Sequence, residues 1–180
     1  MTAVVAIEDT SKKTVYMGAD SCGIAGLNHT VRDDPKVFIN GPFIMAFTSS
    51  FRMGNLLNYK VDPPKQSVKQ SDIQYMNTDF IDHVREVFNK NGYGTPASGG
   101  TFLVGYNGKL YTVDNDFQIG IPHEKYDAAG CGAPYALGAL FATKGKKPEE
   151  RIKIALEAAT FNSAGVLPPY RMLKLTASSK

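Results

Sequence analysis

Met1 and Thr2, the first two residues, carry the first candidate chemistry in the sequence. Aminopeptidases remove an initiator methionine when the next side chain is small, and threonine is small enough. Removal would leave a free α-amine beside the hydroxyl of Thr2, and such an amine can take the proton of a hydroxyl nucleophile. An α-amine has an unperturbed pKa of about 7.7–8.0, so the free base is available near neutrality. The alternative is an ordinary Met-Thr beginning without a catalytic role.

The residues that follow Thr2 predict the elements that would position it. Two β-rich runs, 3–7 and 14–19, flank a short polar turn, which is the pattern of a hairpin, and the second run ends at Asp20. Residues 21–35 contain three scattered turn formers and are predicted to form a loop. Another β-rich run begins at Lys36.

This ordered set resembles the beginning of a proteasome β subunit or an HslV-type peptidase. In that family an N-terminal threonine strand is followed by Gly-Ala-Asp at the end of the second strand, and then by a lysine. Here the residues are Thr2, Gly18-Ala19-Asp20 and Lys36, with the family's sixteen-residue step from Asp20 to Lys36. The resemblance implies that Lys36 favours the alkoxide-like form of the Thr2 hydroxyl and that Asp20 is the partner of a buried lysine. The alternative is a turn carboxylate and a solvated lysine.

A strand over 43–47 and a helix from 51 to 57 are predicted next, and their junction has a role in the same family. There a backbone N–H holds the oxyanion of the tetrahedral intermediate. We assign this donor to Ser50 or a neighbour, because a backbone N–H at a helix N-terminus does not require glycine. The side chain of Ser50 can also act as an N-cap. Thr48 and Arg52 fall where the family lines its substrate pocket, although Arg52 fits a surface position equally well.

The segment 130–136, Gly-Cys-Gly-Ala-Pro-Tyr-Ala, resembles a second landmark of HslV-type chains. The family has a serine at the position of Cys131, where it helps to hold the N-terminal threonine, and a thiol is a weaker hydrogen-bond donor. A competing interpretation makes Cys131 itself the nucleophile, but no histidine or asparagine motif accompanies it. An Asp and a Ser that support the family's threonine are not clearly present near 160–166. Asn162 or Ser163 could substitute, or could simply end a helix.

Composition limits the remaining classes of function. A length of 180 residues suits a single domain over 1–180, and a net charge of +3 is too small to indicate nucleic-acid binding. Neither a membrane-spanning run nor a signal peptide is apparent, so we expect a cytoplasmic protein without membrane association. Two isolated cysteines and three scattered histidines show no metal-ligand spacing, and we expect no metal and no cofactor.

The order of strands and helices predicts an α+β fold. Helices are expected over 80–88, 136–142 and 148–161, an Asn-Gly hairpin around Asn107, strands over 117–121 and 125–129, and a last strand over 170–175. Two antiparallel sheets packed between two helical layers fit this order. The resemblance implies the four-layer αββα sandwich of the N-terminal nucleophile (Ntn) hydrolases.

The resemblance implies a threonine-type endopeptidase that hydrolyses peptide bonds through an acyl-Thr2 intermediate. Two alternatives stay open, a small-molecule amidase on the same fold and an inactive ring-forming structural subunit. The implied partners are further copies of the chain in a ring, a peptide or unfolded protein as substrate, and an ATPase unfoldase. Two surfaces are candidates for the ring contacts, small residues at 138–142 and an apolar set at 56–59, although both could be buried within one subunit.

Overall fold

The computed structural model describes residues 1–178. The strands are β1 Val4–Asp9, β2 Thr14–Ala19, β3 Cys22–Ala25, β4 Asn28–Val31, β5 Val37–Asn40, β6 Phe43–Phe47, β7 Phe102–Tyr106, β8 Lys109–Val113, β9 Ile119–Gly120, β10 Tyr126–Ala129 and β11 Arg171–Thr176. The helices are α1 Phe51–Tyr59, α2 Asp72–Tyr75, α3 Ile81–Lys90, α4 Ala133–Ala142 and α5 Pro148–Asn162. A π-helical segment, Met76–Phe80, joins α2 to α3.

Two antiparallel sheets carry most of these strands. One has the order β10-β1-β2-β11 and the other the order β5-β6-β7-β8-β9. In the β1–β2 hairpin, Val4 lies opposite Ala19, so the residues just before β1 and just after β2 are at the same end of the sheet. The register of this hairpin therefore brings Thr2 next to Asp20.

Strand β1 packs against other elements on both of its faces. Side chains alternate between the faces of a strand. Val4 and Ala6 pack toward the second sheet, together with Ile44 and Leu103. The opposite face of β1 packs against α4 and α5. The alternation of apolar and polar residues that marks a half-buried strand is consequently missing.

The outer face of the second sheet is covered by α1, α2, α3 and the π-helical segment. Its core is rich in aromatic residues, including Phe43, Phe80 and Tyr106, whose rings pack at centroid distances of 4.8 and 5.0 Å. The predicted α+β class with antiparallel sheets is thus confirmed. Within residues 1–178, no helix combines the length and the apolar character needed to cross a membrane.

Three local predictions were wrong. Residues 21–35 were expected to form a loop, but they include the β3–β4 hairpin. All four residues of β4 are exposed, so no buried face gives the apolar alternation by which a strand is predicted. The helix expected over 80–88 continues back to Asp72, where Ser71 accepts a hydrogen bond from the Gln74 N–H at 3.3 Å. The strand expected over 117–121 shrinks to β9, because Phe117 has a φ of 69° in a turn.

Gly54 sets how closely α1 approaches β6. A Cβ at this position would lie 2.1 Å from Cε1 of the buried Phe47 ring. A glycine inside a helix costs about 1 kcal/mol relative to alanine, so its presence here has a packing reason. Because Phe47 and Phe51, the first residue of α1, line the cavity beside Thr2, this contact also shapes the site described below.

We predict that Gly54→Ala lowers the free energy of unfolding by about 1–3 kcal/mol, since overpacking against Phe47 exceeds the gain in helix propensity. Gly138→Ala in α4 is the matched control, because a Cβ there meets nothing within 4 Å and should stabilise the protein by up to about 1 kcal/mol. Urea unfolding of both variants measures the difference. Equal stabilisation by the two substitutions would contradict the packing explanation.

Candidate functional site

Thr2, Asp20 and Lys36 meet at the end of the first sheet. The hydroxyl of Thr2 donates a hydrogen bond to Oδ1 of Asp20 and accepts one from Nζ of Lys36. Nζ of Lys36 lies 2.8 Å from the same carboxylate oxygen. All three side chains are buried, with 3% of the Lys36 side chain and none of the Asp20 side chain exposed. The structure therefore brings together the three residues that the resemblance singled out.

The ammonium of Lys36 has a hydrogen-bond partner for each of its three protons. Besides Thr2 and Asp20, it donates to the carbonyl of Cys22 at 2.6 Å. A lysine ammonium has three donors and no acceptor, so these contacts use its full capacity and fix its orientation. Burial raises the pKa of the neighbouring Cys22 thiol, and the charge of Asp20 raises it further. Cys22 is consequently a neutral side chain at neutral pH.

The carboxylate of Asp20 is held by backbone donors from three parts of the chain. Its Oδ1 accepts from the N–H of Ala3 at 3.0 Å, and its Oδ2 accepts from the N–H of Cys22 at 2.8 Å and of Leu167 at 3.4 Å. Charge-assisted bonds of this kind are stronger than neutral ones. The carboxylate thus connects β1, β3 and the segment before β11 around the Thr2 hydroxyl.

The backbone of Thr2 is held by the segment between β10 and α4. The N–H of Gly132 donates to the carbonyl of Thr2 at 3.1 Å. Gly130 has a φ of 98°, and a Cβ on it would lie 2.3 Å from the same carbonyl oxygen. Only glycine suits this close approach, which explains the first glycine of the 130–136 landmark.

Cys131 lies at the backbone nitrogen of Thr2. That nitrogen, which is an amide bonded to Met1 in this structure, donates to Sγ of Cys131 at 3.3 Å. Oγ of Ser163 lies 3.3 Å from the same sulfur. Asn162, the other candidate at this end of α5, instead donates to the carbonyl of Ala158 at 2.9 Å. Of these two residues, Ser163 is therefore the one whose side chain contacts Cys131.

The N–H of Ser50 is already engaged. It donates to the carbonyl of Thr48 at 2.6 Å across Ser49, which has a φ of 62°. This is the geometry of a γ-turn, which is strained for a residue other than glycine. The Ser50 hydroxyl caps α1 by accepting from the N–H of Arg52 at 3.1 Å. The N–H groups of Ser49 and Phe51 have no hydrogen-bond partner among the described residues 1–178, so both are open donors at this junction.

A cavity of about 210 Å³ opens beside Thr2. Its lining combines the β3–β4 hairpin, Lys36 and the β6–α1 junction; the residues are Met1, Thr2, Cys22, Gly23, Ile24, Ala25, Asn28, Thr30, Arg32, Lys36, Phe47, Thr48, Ser49, Ser50 and Phe51. Thr48 lies in the lining, as expected for a substrate-pocket residue. Arg52 is exposed, donates weakly to the Asn91 carbonyl at 3.4 Å, and is not part of the lining.

Sequence reasoning missed the part of the wall that comes from the β3–β4 hairpin, Arg32 above all. Residues 21–35 had been interpreted as a loop, and nothing in their spacing places Arg32 near Thr2. The backbone N–H of Arg32 donates to the carbonyl of Ser21 at 2.9 Å, which ties the end of the hairpin to the residue after Asp20. This contact could be found only from the folded structure.

No family model and no curated protein matches the sequence. Solved structures do match, over nearly the whole chain. The structure titled "Thiobacillus denitrificans BPH in complex with Epoxomicin" has a TM-score of 0.81 and 18% identity, covering 99% of this chain and 100% of that chain. A second Thiobacillus denitrificans BPH structure has a TM-score of 0.80 and 19% identity, with the same coverage.

A eukaryotic HslV, from Trypanosoma brucei, has a TM-score of 0.71 and 17% identity, covering 97% of this chain and 99% of that chain. The chain therefore has the fold seen in HslV. The resemblance predicted from Thr2, Asp20, Lys36 and the 130–136 segment is confirmed at the level of the fold. At these identities the likeness does not extend to activity, which depends on the site.

We predict that Lys36→Met destabilises the protein by about 3–5 kcal/mol, because it leaves the buried Asp20 carboxylate without its cation. Lys109→Met is the matched control, since Lys109 pairs with Asp72 at a similar 2.9 Å but is 55% exposed. That substitution should cost at most about 1 kcal/mol. Urea unfolding gives both values, and equal small losses would mean that the Lys36–Asp20 pair does not stabilise the fold.

Proposed function

We propose that the protein is a threonine-type endopeptidase that becomes active when Met1 is removed, and that its stacked sheets and helices form the αββα sandwich of Ntn hydrolases. The observation that carries the proposal is the buried Thr2 hydroxyl, which lies between the ammonium of Lys36 and the carboxylate of Asp20 and borders an open cavity. A structural threonine needs only one hydrogen-bond partner, whereas this arrangement places a fixed positive charge where an alkoxide would develop.

In the proposed reaction, the hydroxyl of Thr2 attacks the carbonyl carbon of a peptide bond. The free α-amine of Thr2, directly or through a water molecule, takes the hydroxyl proton and gives it to the leaving amine. The C–N bond breaks and an ester between the substrate's acyl group and Thr2 remains. Water then hydrolyses this ester with the same amine as base, which regenerates Thr2.

Lys36 stabilises the developing charge on Thr2 Oγ1, and Asp20 keeps Lys36 in place. Cys131, which already contacts the nitrogen of Thr2, orients the amine together with Ser163. For the oxyanion, the N–H of Ser49 is free in this structure, whereas that of Ser50 must first release the carbonyl of Thr48. Single donors of this kind contribute roughly 3–4 kcal/mol to acyl-transfer reactions.

The first test concerns the nucleophile. Thr2→Ala should lower the hydrolysis of fluorogenic peptides by at least about a thousandfold, because no other hydroxyl takes the place of a lost nucleophile. Alanine is also small, so removal of Met1 stays unaffected and the comparison isolates the hydroxyl. One BPH structure contains epoxomicin, and we expect this compound to inhibit the unaltered protein.

Cys131→Ala is the control for the competing nucleophile. Its thiol is proposed to orient the amine only, so this variant should keep substantial activity and remain sensitive to epoxomicin. An inactive Cys131→Ala together with an active Thr2→Ala would reverse the assignment. Circular dichroism on both variants separates a loss of function from a loss of fold.

We also propose that the chain works as a closed homo-oligomer. One face of α4 supports this, because Tyr135 and Phe141 are 43% and 65% exposed and flank Gly138, whose Cβ position is open. At the second candidate surface, 56–59, Leu56 and Leu57 are buried within the subunit and Tyr59 is the exposed apolar residue. A ring requires a heterologous contact whose rotation closes.

Light scattering tests the oligomer directly. The unaltered protein should have a mass that is a multiple of 19.6 kDa, and Phe141→Glu should shift it toward the monomer. Tyr59→Glu is the matched control, because Tyr59 is 74% exposed on α1 and lies outside the proposed contact. A monomer that nevertheless cleaves peptides would refute the ring and favour the small-molecule amidase.

A further inference from the structure

Arg32 is a cavity residue without a role in the proposed reaction. It follows the last residue of β4 and lines the same cavity as Thr2. Its side chain is 42% exposed, so it lies at the mouth of the cavity rather than in the core. The guanidinium of Arg32 is therefore accessible to a ligand that enters the cavity beside Thr2.

Two contacts fix the orientation of the Arg32 guanidinium. Nε and Nη2 donate to the two carboxylate oxygens of Asp34 at 2.8 and 2.7 Å, which is a bidentate pair along one edge of the guanidinium. Its carbon lies 3.9 Å from the centroid of the Phe51 ring, so the charged plane packs on an aromatic face. These bonds also keep the pKa of Asp34 below its usual value, so the pair persists at neutral pH.

The second edge of the guanidinium, formed by Nη1 and the other proton of Nη2, is unused. Within residues 1–178, every hydrogen bond from the Arg32 side chain goes to Asp34. An arginine has five N–H donors in a rigid fork and can bind one carboxylate along each of two edges. Arg32 therefore keeps a preorganised place for a second carboxylate.

Among the charged side chains that line the cavity in the described part of the chain, Arg32 is the one with hydrogen-bond donors to spare. Lys36, the other cationic side chain of the lining, uses its three donors for Thr2, Asp20 and Cys22. None of the described lining residues carries a carboxylate, and Asp34, which pairs with Arg32, lies outside the lining. Phe47 and Phe51, whose rings meet edge to face at 5.7 Å, supply apolar surface for the methylene groups of an entering side chain.

We propose that Arg32 makes this protein selective for acyl groups that carry a carboxylate, namely peptides with glutamate or aspartate on the amino side of the cleaved bond. This inference rests on the proposed peptidase function. When the carbonyl of that residue lies at Thr2 Oγ1, its side chain enters the adjoining cavity, and its carboxylate accepts two hydrogen bonds from the free edge of Arg32. Asp34 and Phe51 already fix the guanidinium, so little side-chain entropy is lost when the substrate carboxylate binds.

The experiment compares kcat/KM for four fluorogenic peptides that differ only at the residue before the cleaved bond, which is Glu, Gln, Leu or Lys. Glutamine matches glutamate in size and lacks only the charge. We expect Glu to exceed Gln by at least about tenfold, as for a charge-assisted bidentate contact. Arg32→Gln should lower this ratio to near one. Arg32→Lys keeps the charge but loses the paired donors of the guanidinium, so it should retain only part of the Glu-to-Gln ratio.

Arg85→Gln is the matched control. Arg85 also pairs with an aspartate, Asp82 at 3.6 Å, is 44% exposed, and lies 5.5 Å from the centroid of a phenylalanine ring, Phe117. It lies outside the cavity lining. Its loss removes the same charge from the protein, so the Glu-to-Gln ratio should stay unchanged.

The outcomes separate the two levels of the proposal. A Glu-to-Gln ratio near one, or a ratio that Arg32→Gln does not change, overturns the selectivity of Arg32 while Thr2-dependent cleavage of the Leu peptide leaves the peptidase function standing. If Arg85→Gln also abolishes a high Glu-to-Gln ratio, the preference comes from the net charge of the protein. That result would equally overturn the selectivity of Arg32. Failure to cleave any of the four peptides overturns the proposed function and, with it, this inference.

Discussion

The buried ion pair between Lys36 and Asp20 is the interaction on which the rest of the site depends. Removing either charge alone would leave the other uncompensated in the interior, at a cost of about 3–5 kcal/mol. The pair remains favourable because backbone donors at Ala3, Cys22 and Leu167 satisfy the carboxylate, and the Cys22 carbonyl satisfies the ammonium. These donors come from β1, β3 and the segment before β11, so the pair forms only when the first sheet and its neighbours are complete. The Thr2 hydroxyl is the common partner of both charges.

The two sides of the site differ in how deeply they are buried. Thr2, Asp20 and Lys36 are buried, and Gly130 brings the backbone against the Thr2 carbonyl more closely than any other residue would permit. The opposite wall is the β3–β4 hairpin, whose second strand is exposed and is followed by Arg32. The Thr2 cluster therefore lies in the core, and the wall across the cavity lies at the surface. Such a division is typical of sites in which loops on a fixed scaffold determine specificity.

The Thr2–Asp20–Lys36 cluster was predicted from the resemblance to a known family, and the hairpin register explains part of it. β1 and β2 pair so that Thr2 and Asp20 lie at the same end, and Lys36, which directly precedes β5, contacts both of them. The Ser50 prediction was less complete, since no pattern reveals that its N–H is bound to the Thr48 carbonyl. Arg32 could not be predicted, because β4 has no buried face and therefore no apolar alternation. The missed features thus depend on long-range contacts or on exposed strands, for which sequence periodicity contains no information.

The proposed mechanism requires a free α-amine on Thr2, and the mass of the intact, active protein tests this most directly. Protein purified in a form that hydrolyses peptides should have the mass of the chain without Met1. The amide that joins Met1 to Thr2 cannot take a proton from the hydroxyl, so an active preparation that retains Met1 on every chain would contradict the mechanism. The same spectrum recorded on Thr2→Ala should show the identical loss of Met1, which separates processing of the chain from catalysis by its hydroxyl.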